Sequence, residues 1–156
     1  MDAPRRADSI DTAILRALIA DPDATTVALA ERTGLARNTV RARLARYRDE
    51  KTMRGVDRRI DPAFLGYPLT AFVATSVKQS KLDQVALALR DIPEILEVHG
   101  LTGVSDLLIH VVAVDADDLY RVAGKILDVD GVKRTNTGLV MRQLVDYRLA
   151  QLIDVG

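Results

Sequence analysis

The chain has no cysteine. Disulfides, thiol nucleophiles and cysteine-ligated zinc are therefore excluded, and a reducing compartment is compatible with the composition. No apolar run approaches the roughly 18–20 residues of a membrane span. The N-terminal stretch MDAPRRADSID lacks the apolar segment of a signal peptide. Phosphate-cradling P-loops, the G-x-G-x-x-G turn and metal-ligand spacings are missing as well. The chain is therefore expected to be soluble and cytoplasmic, with no membrane partner, no cofactor and no metal. Net charge is absent too, since 22 Lys and Arg stand against 22 Asp and Glu.

That balance hides an asymmetry. Residues 1–60 hold 13 Lys/Arg and 9 Asp/Glu, whereas residues 61–156 hold 9 and 13. A basic part joined to an acidic part is the pattern of a polyanion-binding module attached to something else. With 156 residues, 48% of them hydrophobic, the chain can build one domain or two small ones around packed cores.

The basic excess concentrates in GLARNTVRARLARYRDE, Gly34 to Glu50. Five arginines fall between Arg37 and Arg48, with no acid before Asp49. Three helices are expected here. The first is capped by Ser9 or Asp8, carries Ile10, Ile14, Ala17 and Leu18 at helical spacing, and stops at Asp21-Pro22-Asp23. The second starts at Thr25 or Thr26 and ends before Gly34. The third runs from about Arg37 to Asp49. At roughly 100° per residue, Val40, Leu44 and Tyr47 form its buried stripe. Asn38, Ala42 and Ala45 lie opposite. Thr39, Arg43 and Arg46 border that face on one flank; Arg37, Arg41 and Arg48 border it on the other.

Two helices joined by a tight glycine turn, the second of them basic, form a helix-turn-helix. Its small-residue face suits a DNA groove. Asn38, Thr39 and Ala42 are expected to face bases, and Arg37, Arg41, Arg43 and Arg46 to hold phosphates. Thr26, at its helix N-terminus, would add a backbone contact. The competing reading is a solvated charged face, but such a face normally mixes signs, because (i, i+4) pairs of opposite charge stabilise it.

Residues 1–60 are thus assigned to the DNA-binding domain, with a strand or extended linker around Arg54–Ile60. Whether residues 51–60 form a wing is left open. Residues 61–68 are assigned to a linker and 69–156 to a second domain. Its strands are expected at LTAFVATSV, Ile95–Thr102, Leu107–Val114 and Val132–Met141, with helices after the first and third. The order β-α-β-β-α-β is the ferredoxin-like motif, and the whole chain is α+β. Strand three is apolar on both faces, so a second copy of the chain is the simplest cover for the side without helices.

The loop Leu101-Thr102-Gly103-Val104-Ser105-Asp106 is the candidate small-molecule site. Gly103 lets backbone approach a ligand, and Asp106 can accept from an amino group. The alternative is that Gly103 and Asp106 only shape a hairpin turn. His99, just before the loop, can help to line it, whereas His110 is expected to be packed or at an interface. No nucleophile elbow surrounds Ser105, so no catalytic residue is assigned.

Taken in order, LAERTGLARNTVRARLARYRDE, RRIDPAFLGYPLTAFV, HGLTGVSDLLIHV and RTNTGLV resemble the Lrp/AsnC (feast/famine) family of bacterial and archaeal transcriptional regulators over almost the whole chain. The resemblance implies a winged or plain helix-turn-helix followed by a ferredoxin-like RAM domain. It implies dimers through that domain, commonly assembled into tetramers, octamers or larger discs. It also implies an amino acid or related effector bound between dimers, with Thr135 and Thr137 lining that site. Arg43 matches the family's most regular recognition-helix arginine. Three positions depart from the pattern: Ala36 stands where a capping serine is usual, Lys51 where a glycine is common nearby, and Leu107 where an aromatic often follows the aspartate. The expected function is sequence-specific regulation of transcription on double-stranded DNA in the nucleoid, without enzymatic activity. The alternatives are an architectural DNA-binding protein of little sequence preference and, from another class, an enzyme resembling sirohaem decarboxylases.

Overall fold

The structure, a computed structural model, describes residues 6–153. Residues 1–5, within the charged N-terminal stretch noted above, and residues 154–156 lie outside the described residues. The chain divides into two compact units, residues 1–55 with 145–156, and residues 56–144.

In the first unit, α1 spans Ser9–Ala20, α2 Thr26–Thr33 and α3 Arg37–Asp49. Asp8, not Ser9, caps α1: its carboxylate accepts from Asp11 N–H at 2.9 Å, and the Asp11 carboxylate accepts from Asp8 N–H at 3.2 Å. That reciprocal pair satisfies two amides that the helix start would leave open. Thr25 caps α2 through Ala28 N–H at 3.2 Å. Gly34 then turns the chain with φ +69°, a left-handed conformation that costs glycine little. Ile14, Leu29, Ala30, Val40 and Tyr47 form the core where the three helices meet. The short α6, Ala150–Ile153, belongs to the same unit.

Both ends of α3 are unusual. Ala36 occupies its N-cap with no side-chain hydrogen bond. At the other end Lys51 adopts φ +52° and is the only non-glycine residue with positive φ among those described. Thr52 N–H donates to Tyr47 O at 2.9 Å, and Lys51 N–H to Arg48 O at 3.2 Å. These are the two bonds of a Schellman ending, formed here without the glycine that normally makes it cheap.

No strand forms over Arg54–Ile60. Val56–Arg59 is a 3-10 turn instead. A strand requires a ladder partner, and none of the sheet pairings of the described residues involves this stretch. The segment expected as a linker is locally ordered within the second unit. Asp61 accepts from Ala63 N–H at 2.9 Å and starts a second 3-10 turn, Pro62–Leu65.

The second unit contains β1 (Leu69–Val77), α4 (Leu82–Leu89), β2 (Ile95–Gly100), β3 (Leu107–Ala113), α5 (Ala116–Leu127) and β4 (Val132–Leu139). The strands lie in the order β2-β3-β1-β4, every neighbouring pair antiparallel. This is the expected ferredoxin-like arrangement. β4 ends at Leu139 rather than Met141, where its last paired residue faces Ala71 and one further bond, from Val140 N–H to Thr70 O at 2.8 Å, follows. Ala71, Val73, Val77, Ile109 and Val111 point toward the helices and pack with Val85, Leu89, Val122 and Ile126. Each fully buried aliphatic side chain of this kind contributes roughly 1.5–3 kcal/mol relative to exposure. At Gly131, with φ +106°, a Cβ would come within 2.9 Å of Lys81 Cβ and Val85 Cγ2, so the turn into β4 requires glycine. Among the described residues of the second unit, no helix packs on the opposite face of the sheet. There Phe72 is 39% exposed, and its ring stacks on His110 with centroids 4.8 Å apart.

The two ends of α3 yield a stability prediction. Lys51→Gly relieves the left-handed strain and should stabilise the N-terminal unit by about 1 kcal/mol. Ala36→Ser supplies the absent cap, and its gain should also be about 1 kcal/mol. Urea denaturation followed by far-ultraviolet circular dichroism would register both as higher midpoints at unchanged slope; unmoved midpoints would contradict the cap geometry.

Candidate nucleic-acid interface and ligand loop

Helix α3 presents the face expected from its periodicity. Val40 and Tyr47 are buried, while Arg37, Asn38, Arg41, Ala42 and Arg48 are exposed and Thr39 is half-buried. Asn38 and Ala42 lie on the side opposite Val40, with Arg37, Arg41 and Arg48 along one border. Thr26 is the first residue of α2 and half-buried; the capping oxygen there comes from its neighbour Thr25.

The other border of α3 is occupied from within the unit. Arg43 Nη1 donates to Asp8 Oδ2 at 2.6 Å and to Asp11 Oδ1 at 2.8 Å. Arg46 Nη2 donates to Asp11 Oδ1 at 2.8 Å, and the Tyr47 hydroxyl donates to the same oxygen at 2.7 Å. Asp11 is only 4% exposed. The guanidinium groups expected to reach phosphates on this flank thus bind carboxylates of α1 instead. Sequence reasoning missed this because the partners lie 32 to 36 residues apart. The available signal was an aspartate at position 11, on the face of α1 that also carries the buried Ile14.

The cluster also sets protonation. Burial alone would raise the pKa of Asp11. The Tyr47 hydroxyl, the Arg43 guanidinium and the Asp8 backbone N–H outweigh burial and hold the carboxyl well below the ordinary carboxylate range. Burial and the adjacent Asp11 push the Tyr47 hydroxyl upward. The cluster therefore stays charged, with Tyr47 neutral and donating, across the physiological range.

In the second unit, Leu101–Asp106 joins β2 to β3. Its ends are tied together by Leu101 N–H donating to Asp106 O at 2.8 Å. The Asp106 carboxylate, expected to receive a ligand's amino group, accepts from Val77 N–H at 2.8 Å through one oxygen and from the Gln79 side-chain amide at 2.8 Å through the other. Asp106 N–H donates to Thr75 O at 3.0 Å. Asp106 thus fastens the loop to the end of β1, the turn-shaping role described above. Gly103 has φ +120° with open space around it. Leu101, Thr102 and Val104 are exposed, and Ser105 is half-buried. Thr135 and Thr137 stand opposite Thr75 and Val73 on β4. β1 lies between β4 and β3, so these threonines are roughly 10 Å from the strand that the loop feeds. The loop nevertheless meets β1 at Thr75, the cross-strand partner of Thr135, through Asp106 N–H. His99 is exposed at the end of β2, 3.2 Å from Glu97 Oε2, and Glu97 also pairs with Arg58. His110 is packed under Phe72, and burial, His99 and Arg58 all lower its pKa.

Residues 8–48 match the family model described as the AsnC-type helix-turn-helix domain, and residues 70–150 that of the Lrp/AsnC ligand binding domain. The HTH-type transcriptional regulator FL11 of Pyrococcus horikoshii is 32% identical over 135 residues, which is 86% of this chain and 89% of that protein. The regulator AldR of Mycolicibacterium smegmatis is 33% identical over 144 residues, covering 90% and 84%. Among solved structures, Escherichia coli AsnC superposes with a TM-score of 0.83 over 94% of this chain and 99% of that one; at 22% identity it supports the fold alone. The feast or famine regulatory protein of Mycobacterium tuberculosis, solved in complex with L-methionine, superposes with a TM-score of 0.80 at 29% identity, over 91% and 97%.

The carboxylate cluster predicts an acid dependence. The folded pKa of Asp11 lies below its unfolded value of about 4, so the stabilisation is fully present above that pH. It is lost as pH falls toward the folded value. Below pH 4 the unfolding free energy of the N-terminal unit should fall by up to about 1.4 kcal/mol per pH unit on account of this group. Urea denaturation at pH 5, 4 and 3 would show it. Asp11→Asn should flatten that component, and an equally steep acid dependence in the variant would refute the assignment.

Proposed function

The chain belongs to the Lrp/AsnC family of transcriptional regulators, and we propose that it binds DNA sequence-specifically through the exposed face of α3 while an amino acid or related effector acts on its ferredoxin-like unit. The observation that carries the DNA reading is the face itself. An amide and a methyl group, Asn38 and Ala42, stand between the bases' side and a border of three exposed arginines, Arg37, Arg41 and Arg48. Asparagine pairs bidentately with adenine N6 and N7, and a methyl group contacts the thymine methyl. Arg37 and Arg41 hold phosphates, and Thr39 and Thr26 add contacts at the helix starts. Arg43 and Arg46 are withdrawn from the phosphate set, because their guanidinium groups are engaged by Asp8 and Asp11.

The uncovered sheet face, with Phe72 and His110 at its centre, supports a dimer formed on that surface by a second copy. Two-fold pairing would place two α3 helices on two half-sites. The L-methionine bound to the M. tuberculosis relative supports an amino acid as the ligand class. Higher even-numbered assembly and a place in the nucleoid follow from the same reading.

Fluorescence anisotropy on a duplex from upstream of the protein's own gene, titrated with salt and competed with a scrambled duplex, tests this directly. Arg41→Gln should lower the salt slope by roughly 0.9, the loss of one phosphate contact, whereas Arg43→Gln should leave the slope unchanged. Asn38→Ala should relax discrimination at one base pair by about 1–3 kcal/mol. Equal binding of both duplexes would favour the architectural alternative. For the effector, an amino acid present at a hundred times its dissociation constant should stabilise the protein by about 2.7 kcal/mol in thermal unfolding. A panel of all the amino acids without any shift would oppose the effector reading.

A further inference from the structure

Five arginines crowd one helix, yet two of them face α1. Arg43 touches Asp8 and Asp11, and Arg46 touches Asp11. One oxygen, Asp11 Oδ1, receives three donors, from Arg43, Arg46 and Tyr47. Asp8 and Asp11 are thus set against these two guanidinium groups, with Glu50 Oε2 a further 3.9 Å from Arg46 Nε. The Arg43 side chain is 18% exposed, although it borders the surface that carries Asn38 and Ala42.

We propose that Asp8 and Asp11 are specificity-determining residues, an internal substitute for DNA phosphate that occupies Arg43 and Arg46 and so suppresses non-specific binding. The inference rests on the DNA-binding reading of α3. Non-specific affinity is almost wholly electrostatic and grows with every phosphate neutralised, whereas base contacts supply discrimination. Two further free arginines beside the groove face would strengthen binding to any sequence and narrow the ratio between specific and non-specific sites. Pairing them internally removes that contribution while leaving Arg37, Arg41 and Arg48 to position the helix. Apolar residues at 43 and 46 would also remove the charge, but they would not hold α3 against α1 at fixed rotation through directed bonds. The cluster does both, with Asp11 kept ionised by its donors.

The test is the salt dependence of binding to a scrambled duplex, measured with the full chain. Asp8→Asn is the first variant, since asparagine caps a helix as well as aspartate does and α1 keeps its start. Asp11→Asn is the second, and the double variant the third. Arg43 bonds both carboxylates, so the double variant, which frees both guanidinium groups, should steepen the non-specific salt slope by up to roughly 1.8; Asp11→Asn, which releases Arg46, should steepen it by roughly 0.9, and Asp8→Asn, which withdraws one of the two partners of Arg43, by less. The specific-to-non-specific ratio should fall correspondingly. Asp11→Glu, which keeps the charge, should return the slope to that of the unaltered protein. Circular dichroism confirms folding, and Asp8→Asn keeps the test decisive if Asp11→Asn unfolds. An unchanged slope in the folded double variant, or in Asp8→Asn where the variants at Asp11 do not fold, would overturn the proposal while leaving DNA binding by α3 intact. Failure of the unaltered chain to bind either duplex at low salt would overturn the underlying reading and this proposal with it.

Discussion

The first unit depends on one carboxylate. Asp11 lies a single turn into α1, almost fully buried, and receives hydrogen bonds from two arginines and a tyrosine of α3. A buried charge left alone would be costly, so once Asp11 is inside, its partners are required. Removing any one of them leaves the buried carboxylate with one donor fewer. The apolar core formed by Ile14, Leu29, Val40 and Tyr47 brings the helices together, but such contacts tolerate rotation. Bonds directed to one oxygen fix which face of α3 points outward. The outward position of Asn38 is therefore a consequence of an interaction on the far flank of the helix.

The second unit solves a comparable problem with another aspartate. Asp106 ends the β2–β3 loop and takes a β1 backbone amide and the Gln79 side chain on its two oxygens. The loop that resembles an effector site is thereby anchored to the middle of the sheet rather than left as a free hairpin tip. Leu101, Thr102 and Val104 remain outside, exposed, on a base that cannot drift. Exposure on a rigid base is the arrangement that lets a second surface complete a site without the loop having to order first.

Much of this was legible in the sequence, and the reasons differ by element. The limits of α3 and β1 could be read because both patterns are strong and bounded, by Gly34 and Ala36 in one case and by Pro68 and Lys78 in the other. The order of strands and helices sufficed for the ferredoxin-like topology, because few connections are physically allowed. Arg54–Ile60 was misread as extended because its residues carry no strong period, and strand formation depends on a partner that local sequence does not reveal. The partners of Arg43 were missed for a related reason. Helical phase tells which way a side chain leaves its helix but not what stands there, and its partners Asp8 and Asp11 are more than thirty residues earlier. Thr135 and Thr137 show the same limit, because only the strand order reveals that β1 stands between their strand and β3.

The ends of α3 explain why so much is asked of Asp11. A helix of 13 residues is marginal alone, and its propensity-based stability is small beside its packing. Here the N-terminus has no capping side chain, and the C-terminus forces a lysine into left-handed backbone. Each defect costs about 1 kcal/mol relative to the serine and glycine that would remove it. A helix weak at both ends must be held from its side, and the side that holds it is the flank of Arg43, Arg46 and Tyr47. The absence of local capping and the presence of a buried tertiary ion cluster are thus two aspects of one arrangement, in which α3 is ordered by its docking on α1 and α2 rather than by its own ends.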